Sequence, residues 1–147
     1  MPHSFVSNNI HIVFSTKERR PLIPISEQKR LWAYMAGIAK NMGVTPMAVG
    51  GMPDHVHVLV ALPADLPIAR FVNVLKSNSS KWMNERGVEF GWQKGYAAFS
   101  VSSSNLESVT EYIESQAAHH KKRDFKQEFL ALLKKHRIPF DPRYVFD

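Results

Sequence analysis

His55 and His57 flank a single valine inside the run Gly50-Gly51-Met52-Pro53-Asp54-His55-Val56-His57-Val58-Leu59-Val60. An extended chain points every second side chain the same way, so both imidazoles leave one face of a strand together, close enough to share a metal ion. Tyr112 and Gln116 stand four apart in an amphipathic pattern with Val109 and Ile113, which puts them on one face of a helix. Two imidazoles, an amide and a phenol point first to metal-assisted cleavage of a phosphodiester by a tyrosine.

Each of these residues also has a plainer reading. Two imidazoles at i and i+2 supply rigid nitrogen ligands and leave room for a third ligand and a substrate. An ion held there acts as a Lewis acid on a phosphate oxygen. Histidine pairs in strands are as often merely packed or solvent-facing. Helical tyrosines usually bury the ring and hydrogen-bond the hydroxyl at its edge, and Val109, Ile113 and Ala117 offer such a stripe. Gln116 argues the other way, because an amide on an apolar face needs a partner. Its carbonyl oxygen can complete a mixed nitrogen and oxygen shell that suits Mg²⁺ or Mn²⁺. If the substrate is DNA, a phenol attacks phosphorus and displaces the sugar 3′-oxygen, leaving a 5′-phosphotyrosine and a free 3′-hydroxyl. The phosphoester is retained in that linkage, so the strand can be rejoined without ATP.

The elements that must position these groups are legible in the pattern. A first strand spans Asn9 to Ser15, and Ser26 can cap a helix with Leu31, Met35, Ile38 and Met42 on one stripe, stopped by Gly43. Thr45 to Val49 reads as an edge strand because of Pro46. Gly50 to Asp54 reads as a turn into the strongest strand, His55 to Leu62. A helix opening near Pro67 carries Ile68, Phe71, Val72, Leu75, Trp82 and Met83 to Gly87. Tyr96 to Val101 makes a fourth strand. Ser104 and Glu107 read as a capping box for the tyrosine helix. A last helix spans Asp124 to His136 with Phe125, Phe129, Leu132 and Leu133 on one side, and the aromatic tail with Phe140, Tyr144 and Phe146 is expected to dock on the body.

The order strand, helix, strand, strand, helix, strand is that of a ferredoxin-like α+β domain: an antiparallel βαββαβ sheet with both helices on one face, as in RNA-recognition modules, plus added C-terminal helices. Val56, Val58 and Val60 would face those helices, and His55 and His57 the other side. Leu59 and Ala61 share the histidine face, so the third helix, from this chain or a partner, is expected to cover it.

The 147 residues suggest a single domain over 1–147, and no cysteine is present, which excludes a disulfide framework and fits a reducing cytoplasm. No membrane span is expected. A net charge of +6 favours a polyanionic partner, although basic surfaces are common.

With these motifs in view, the chain resembles the single-tyrosine HUH transposases of small bacterial insertion sequences that move as single-stranded DNA. The resemblance rests on His55-Val56-His57 after Gly-Gly, Tyr112-x-x-x-Gln116, and the early His11-Ile12-Val13-Phe14-Ser15-Thr16-Lys17 segment with Arg20-Pro21. It also includes Leu75-Lys76-Ser77, Trp92-Gln93-x-Gly95-Tyr96 and His119-His120-Lys121-Lys122. It implies Tyr112 as nucleophile and His55, His57 and Gln116 as ligands to Mg²⁺ or Mn²⁺. It further implies a homodimer with shared active sites, acting on single-stranded DNA with hairpin ends.

Candidate phosphate contacts are Arg19, Arg20, Lys76, Lys81, Lys94, Lys121, Lys122 and Arg123, each of which also reads as an ordinary surface charge. Trp92, Tyr96 and Phe99 could stack on unpaired bases or pack in the core. A histidine-triad hydrolase would need a third histidine where Leu59 stands, and a two-histidine phosphoesterase a second such motif, which the isolated His11 does not supply. The alternative from another class is a domesticated, non-cleaving single-stranded nucleic-acid-binding module.

Overall fold

Alternation and helical spacing specify the body of the molecule, and a computed structural model describes residues 4–116 and 124–146 of it. Strands β1 (Asn9–Ser15), β2 (Thr45–Met52), β3 (His55–Ala61) and β4 (Ala97–Ser100) form an antiparallel sheet in the order β2-β3-β1-β4. Helices α1 (Gln28–Asn41) and α2 (Ile68–Glu85) connect them as the βαββαβ order requires. Among the described residues, two further helices follow, α3 (Leu106–Glu114) and α4 (Phe125–Lys135).

The two faces of the sheet bury different chemistry. Ile10, Ile12 and Phe14 of β1 join Val56, Val58 and Val60 of β3 against Leu31, Met35 and Ile38 of α1 and Phe71, Val72 and Leu75 of α2. That is the apolar core. The opposite face carries His11, His55 and His57, all buried, between two smaller apolar clusters. On one side Ile113 of α3 meets Leu59 and Ala48. On the other, Phe125 and Leu133 of α4 meet Val13, Ala97 and Phe99, with Phe140 and Phe146 of the tail against them. The histidine face is thus covered by this chain's own third and fourth helices.

Several local expectations are corrected. Gly50 and Gly51 lie inside β2, which runs on to pair Met52 with His55, so the turn is only Pro53-Asp54. The glycines serve close approach instead. A Cβ at Gly50 would stand 2.5 Å from the Ile113 carbonyl oxygen, and one at Gly51 would stand 2.2 Å from that of His55. Ser104 sits in a short 3-10 turn, Ser103–Asn105, and Asn105 precedes α3 without a side-chain cap. Ser26 likewise lies in a 3-10 turn, Ile25–Glu27, ahead of α1. Pro67 stands just before α2 rather than as its first residue. The capping box that does form is at α4, where Asp124 and Gln127 exchange hydrogen bonds.

Gly50 therefore sets how closely α3 seats on β2. Gly50→Ala is expected to destabilise the protein by ~1–3 kcal/mol, the usual penalty of overpacking. Gly37→Ala, in α1 where no described atom lies within 4 Å, should be neutral or stabilise by up to ~1 kcal/mol. Urea denaturation midpoints of the two variants check this, and equal midpoints would refute the close-approach account.

Candidate metal and nucleophile site

The site begins at the Pro53-Asp54 turn. Thr16, fully buried at the end of β1, donates to the Asp54 carbonyl from its backbone N (2.9 Å) and its hydroxyl (3.1 Å). The Ile23 backbone N donates to the Pro53 carbonyl at 3.0 Å. These bonds fix where β3 starts and hence where its histidines point. The Asp54 carboxylate lies 2.7 Å from His55 Nδ1. An ionised carboxylate only accepts, so Nδ1 carries a proton and Nε2 is turned inward. His57 is held differently, with His11 Nε2 2.8 Å from its Nδ1 and the two rings stacked.

Both inward nitrogens converge on one carboxylate. Glu128 Oε1 lies 3.0 Å from His57 Nε2 and 3.4 Å from His55 Nε2. Its Oε2 accepts from the Tyr112 hydroxyl. Gln116 Oε1 stands 3.0 Å from His55 Nε2, and its amide donates to the Tyr112 carbonyl at 3.2 Å. Histidines, tyrosine and glutamine are thus brought together within one chain.

Glu128 is the residue that the sequence reading missed. It sits three residues after Phe125 and four before Leu132, on the apolar face of α4. A carboxylate there, like Gln116 on its own stripe, signals a buried partner. Its residue is only 1% exposed. Burial alone would disfavour the charged form and push the carboxyl up, but hydrogen bonds from His55, His57 and Tyr112, with the His57 charge, hold it far below the usual range. For His55, burial works against the charged ring, yet hydrogen bonds to Asp54, Glu128 and Gln116 and the Glu128 charge push it up to about 9. Burial, aided by His57, pushes His11 down to about 3, so it is neutral.

The donor set fits a divalent ion. His55, His57 and Glu128 offer ligand atoms that all lie within 4.8 Å of one another. Octahedral ligands at right angles, with bonds of ~2.1 Å, stand ~3 Å apart. The separations of 3.0 Å for His57 to Glu128 and for His55 to Gln116 match that spacing.

The proposed phosphate contacts have different fates. Lys76 donates to the carbonyls of Gln93 (2.8 Å) and Gly95 and lies over the Phe14 ring. Burial lowers its ammonium to about 8. Arg19 donates to the Phe146 carbonyl at 2.9 Å and covers that ring. Both therefore hold loop and tail in place. Arg20, Lys81 and Lys94 are exposed, while His119, His120, Lys121, Lys122 and Arg123 lie outside the described residues. Trp92 packs on Phe14 and Phe90 and donates to Ser79 at 2.9 Å, and Phe99 is buried against His136. Tyr96 is exposed.

A proton on His55 near neutral pH must leave before a metal can bind. Mn²⁺ affinity is expected to rise from pH 7 toward 9, by up to roughly tenfold per unit, and then level. The folded pKa lies above the unfolded value of ~6.5. In the metal-free protein this stabilisation is therefore complete below that value and is lost as pH rises through about 9. Calorimetric titration with Mn²⁺ and urea melts across this window check both signs, and a flat affinity profile would refute the proton on His55.

The chain matches the family model described as "Transposase IS200 like" over residues 4–116. It is 25% identical over 130 residues to the transposase for insertion sequence element IS200 of Salmonella typhimurium, covering 82% of this chain and 84% of that protein. It is 26% identical over 114 residues to the ISDra2 transposase TnpA of Deinococcus radiodurans, covering 72% and 81%. Among solved structures it resembles a proposed transposase from Deinococcus radiodurans, with a TM-score of 0.62 at 25% identity, covering 79% of this chain and 96% of the other. A REP-associated tyrosine transposase bound to a REP hairpin shares the fold, with a TM-score of 0.57 at 14% identity over 77% and 68%. Over a match that takes in β1 through Gln116, and so every ligand and nucleophile position read from the sequence, the chain belongs to the IS200-like transposase family.

Proposed function

We propose that this protein cleaves and rejoins single-stranded DNA at hairpin-marked ends through a 5′-phosphotyrosine at Tyr112. The observation that carries the reading is the Tyr112 hydroxyl, bonded to a carboxylate that itself touches both inward histidine nitrogens. A phenol, a group that orients it and a metal-ligand cluster are three parts that tyrosine strand transfer can use, and here one side chain links them. Hairpin DNA is proposed as the substrate because a transposase of the same fold is described bound to a REP hairpin.

His55, His57, Gln116 and Glu128 would hold Mg²⁺ or Mn²⁺. When bound, that ion supplies positive charge to offset the anionic phosphate. The chain's own groups do the rest. Glu128 Oε2 accepts a hydrogen bond from the Tyr112 phenol and so orients its oxygen; the phenolic proton passes to water as that oxygen bonds to phosphorus. The bond from phosphorus to the 3′-oxygen breaks, and that oxygen leaves to become a 3′-hydroxyl by taking up a proton. Rejoining is the reverse, with an incoming 3′-hydroxyl displacing Tyr112. No ATP enters, because the number of phosphoester bonds is unchanged. A cavity of about 390 Å³ beside Tyr112, lined by His11, Ser102, Asn105, Ser108 and Lys135, is the route we assign to the strand. Its hydroxyls and single ammonium suit a phosphate backbone.

Labelled single-stranded DNA from the gene's flanks, incubated with Mn²⁺ and run on a denaturing gel, tests the reading. Wild type is expected to give a covalent band. Tyr112→Phe should bind the DNA and give none, and an adduct surviving in that variant would place the nucleophile elsewhere.

Glu128→Gln keeps an acceptor for the phenol but removes the negative charge among the ligand nitrogens, so cleavage should fall by ~10–100-fold with DNA binding retained. Undiminished cleavage would remove Glu128 from the chemistry. Mixed dimers of Tyr112→Phe and His57→Ala chains separate the two site architectures. Restored activity is the outcome expected for a homodimer with shared active sites, in which the intact histidines of one chain meet the intact tyrosine of the other, whereas inactivity of well-formed mixed dimers would mean that each chain completes its own site.

A further inference from the structure

We propose that His11 is a positioning residue for the metal site, its Nε2 accepting a hydrogen bond from the N–H that His57 carries at Nδ1 when His57 Nε2 is a ligand. The inference rests on the reading of His57 as a ligand. A neutral imidazole bonded to a metal through Nε2 keeps its one proton on Nδ1. His57 is 0% exposed, so bulk water does not reach that nitrogen. His11 Nε2 lies 2.8 Å from the atom, and its ring stacks on His57 with centroids 5.0 Å apart and planes at 28°.

The placement of His11 is fixed by the sheet. It stands on β1, opposite Leu59 of β3 on one side and Phe99 of β4 on the other. Its ring edge contacts Phe99 and Tyr112. Rotation away from His57 is therefore blocked by neighbours, and the acceptor is preorganised before any metal arrives.

A contrast with His55 explains why an imidazole does this work. His55 Nδ1 is held by Asp54, whose side chain is 33% exposed at the rim, where water stabilises its charge. His57 lies deeper, and a second carboxylate there would add an uncompensated buried charge beside Glu128. Neutral imidazole accepts a hydrogen bond without adding one. The rim ligand is oriented by a charge and the interior ligand by a neutral ring.

The test uses the full chain and three proteins: wild type, His11→Phe and His11→Gln. Phenylalanine keeps a ring and removes the acceptor, whereas glutamine returns an acceptor oxygen near the position of Nε2. Mn²⁺ affinity is read by electron paramagnetic resonance, with circular dichroism to confirm the fold. His11→Phe is expected to bind Mn²⁺ about 10–100-fold more weakly, and His11→Gln to recover most of that loss. In ¹⁵N-labelled, Mg²⁺-loaded wild type, His57 should show an exchange-protected proton on Nδ1. Wild-type affinity in a folded His11→Phe would overturn the proposal, as would an equal loss in a folded His11→Gln. If His11→Phe fails to fold, the wild-type spectrum decides, since a His57 proton on Nε2 in the Mg²⁺-loaded protein also overturns it. Wild type that takes up neither ion would instead overturn the metal reading beneath it.

Discussion

Three histidines on the second face of the sheet, at 4%, 0% and 0% exposure for His11, His55 and His57, set a constraint that the rest of the molecule answers. Each buried ring nitrogen left without a partner costs about 1–3 kcal/mol. The partners come from different parts of the chain. Asp54 comes from the β2–β3 turn, Gln116 from just beyond α3, Glu128 from α4, and His11 from the adjacent strand. Apolar contacts on either flank, Ile113 with Leu59 and Phe125 with Val13, bring those helices down onto the sheet. The polar centre is satisfied because the apolar rim seats its partners.

Such a cluster is a poor way to make a protein stable. Replacing a buried ion pair by packed apolar side chains is often neutral or stabilising, whereas deleting one partner is strongly destabilising. The valines on the opposite face of β3 show that this strand can bury plain hydrocarbon. A row of imidazoles and one carboxylate on its second face is therefore better explained by chemistry than by folding. That distinction matters for variants. Removing Glu128 outright would leave His55 and His57 facing an empty buried space, so only shape-conserving changes separate its chemical role from its structural one.

Much of this was legible in the sequence. Period-two alternation in Ile10-Ile12-Phe14 and Val56-Val58-Val60 gave the core face of the sheet, and by exclusion the histidine face. Spacing of four put Tyr112 and Gln116 together, and both reach the histidines. Three features stayed hidden for physical reasons. Gly50 and Gly51 look like a turn because glycine permits one, but what they supply is the absence of a side chain under Ile113 and beside His55. Lys76 and Arg19 look like free cations, because only the fold shows the carbonyls that they cap. Glu128 was concealed by helix α4's strong apolar pattern, although an acid on that same face is the kind of anomaly that made Gln116 informative.

Whether the tyrosine serves its own histidines or those of a second copy is less fundamental than it first looks. In this chain α3 rests on β2 and β3 through Ile113, Leu59 and the close approach at Gly50. Exchange of α3 between two copies would re-form the same contacts, which is why swapping an identical element changes the interaction energy little. What differs is the connection. Between β4 and α3 the chain makes a 3-10 turn over Ser103–Asn105, closed by a backbone bond from Asn105 to Ser102 at 2.9 Å. Opening one exposed turn is a small perturbation beside the burial of Ile113. A shared site and a self-contained site can thus arise from one sheet, one set of ligands and one helix, with the balance set by the linker and the protein concentration rather than by the catalytic groups.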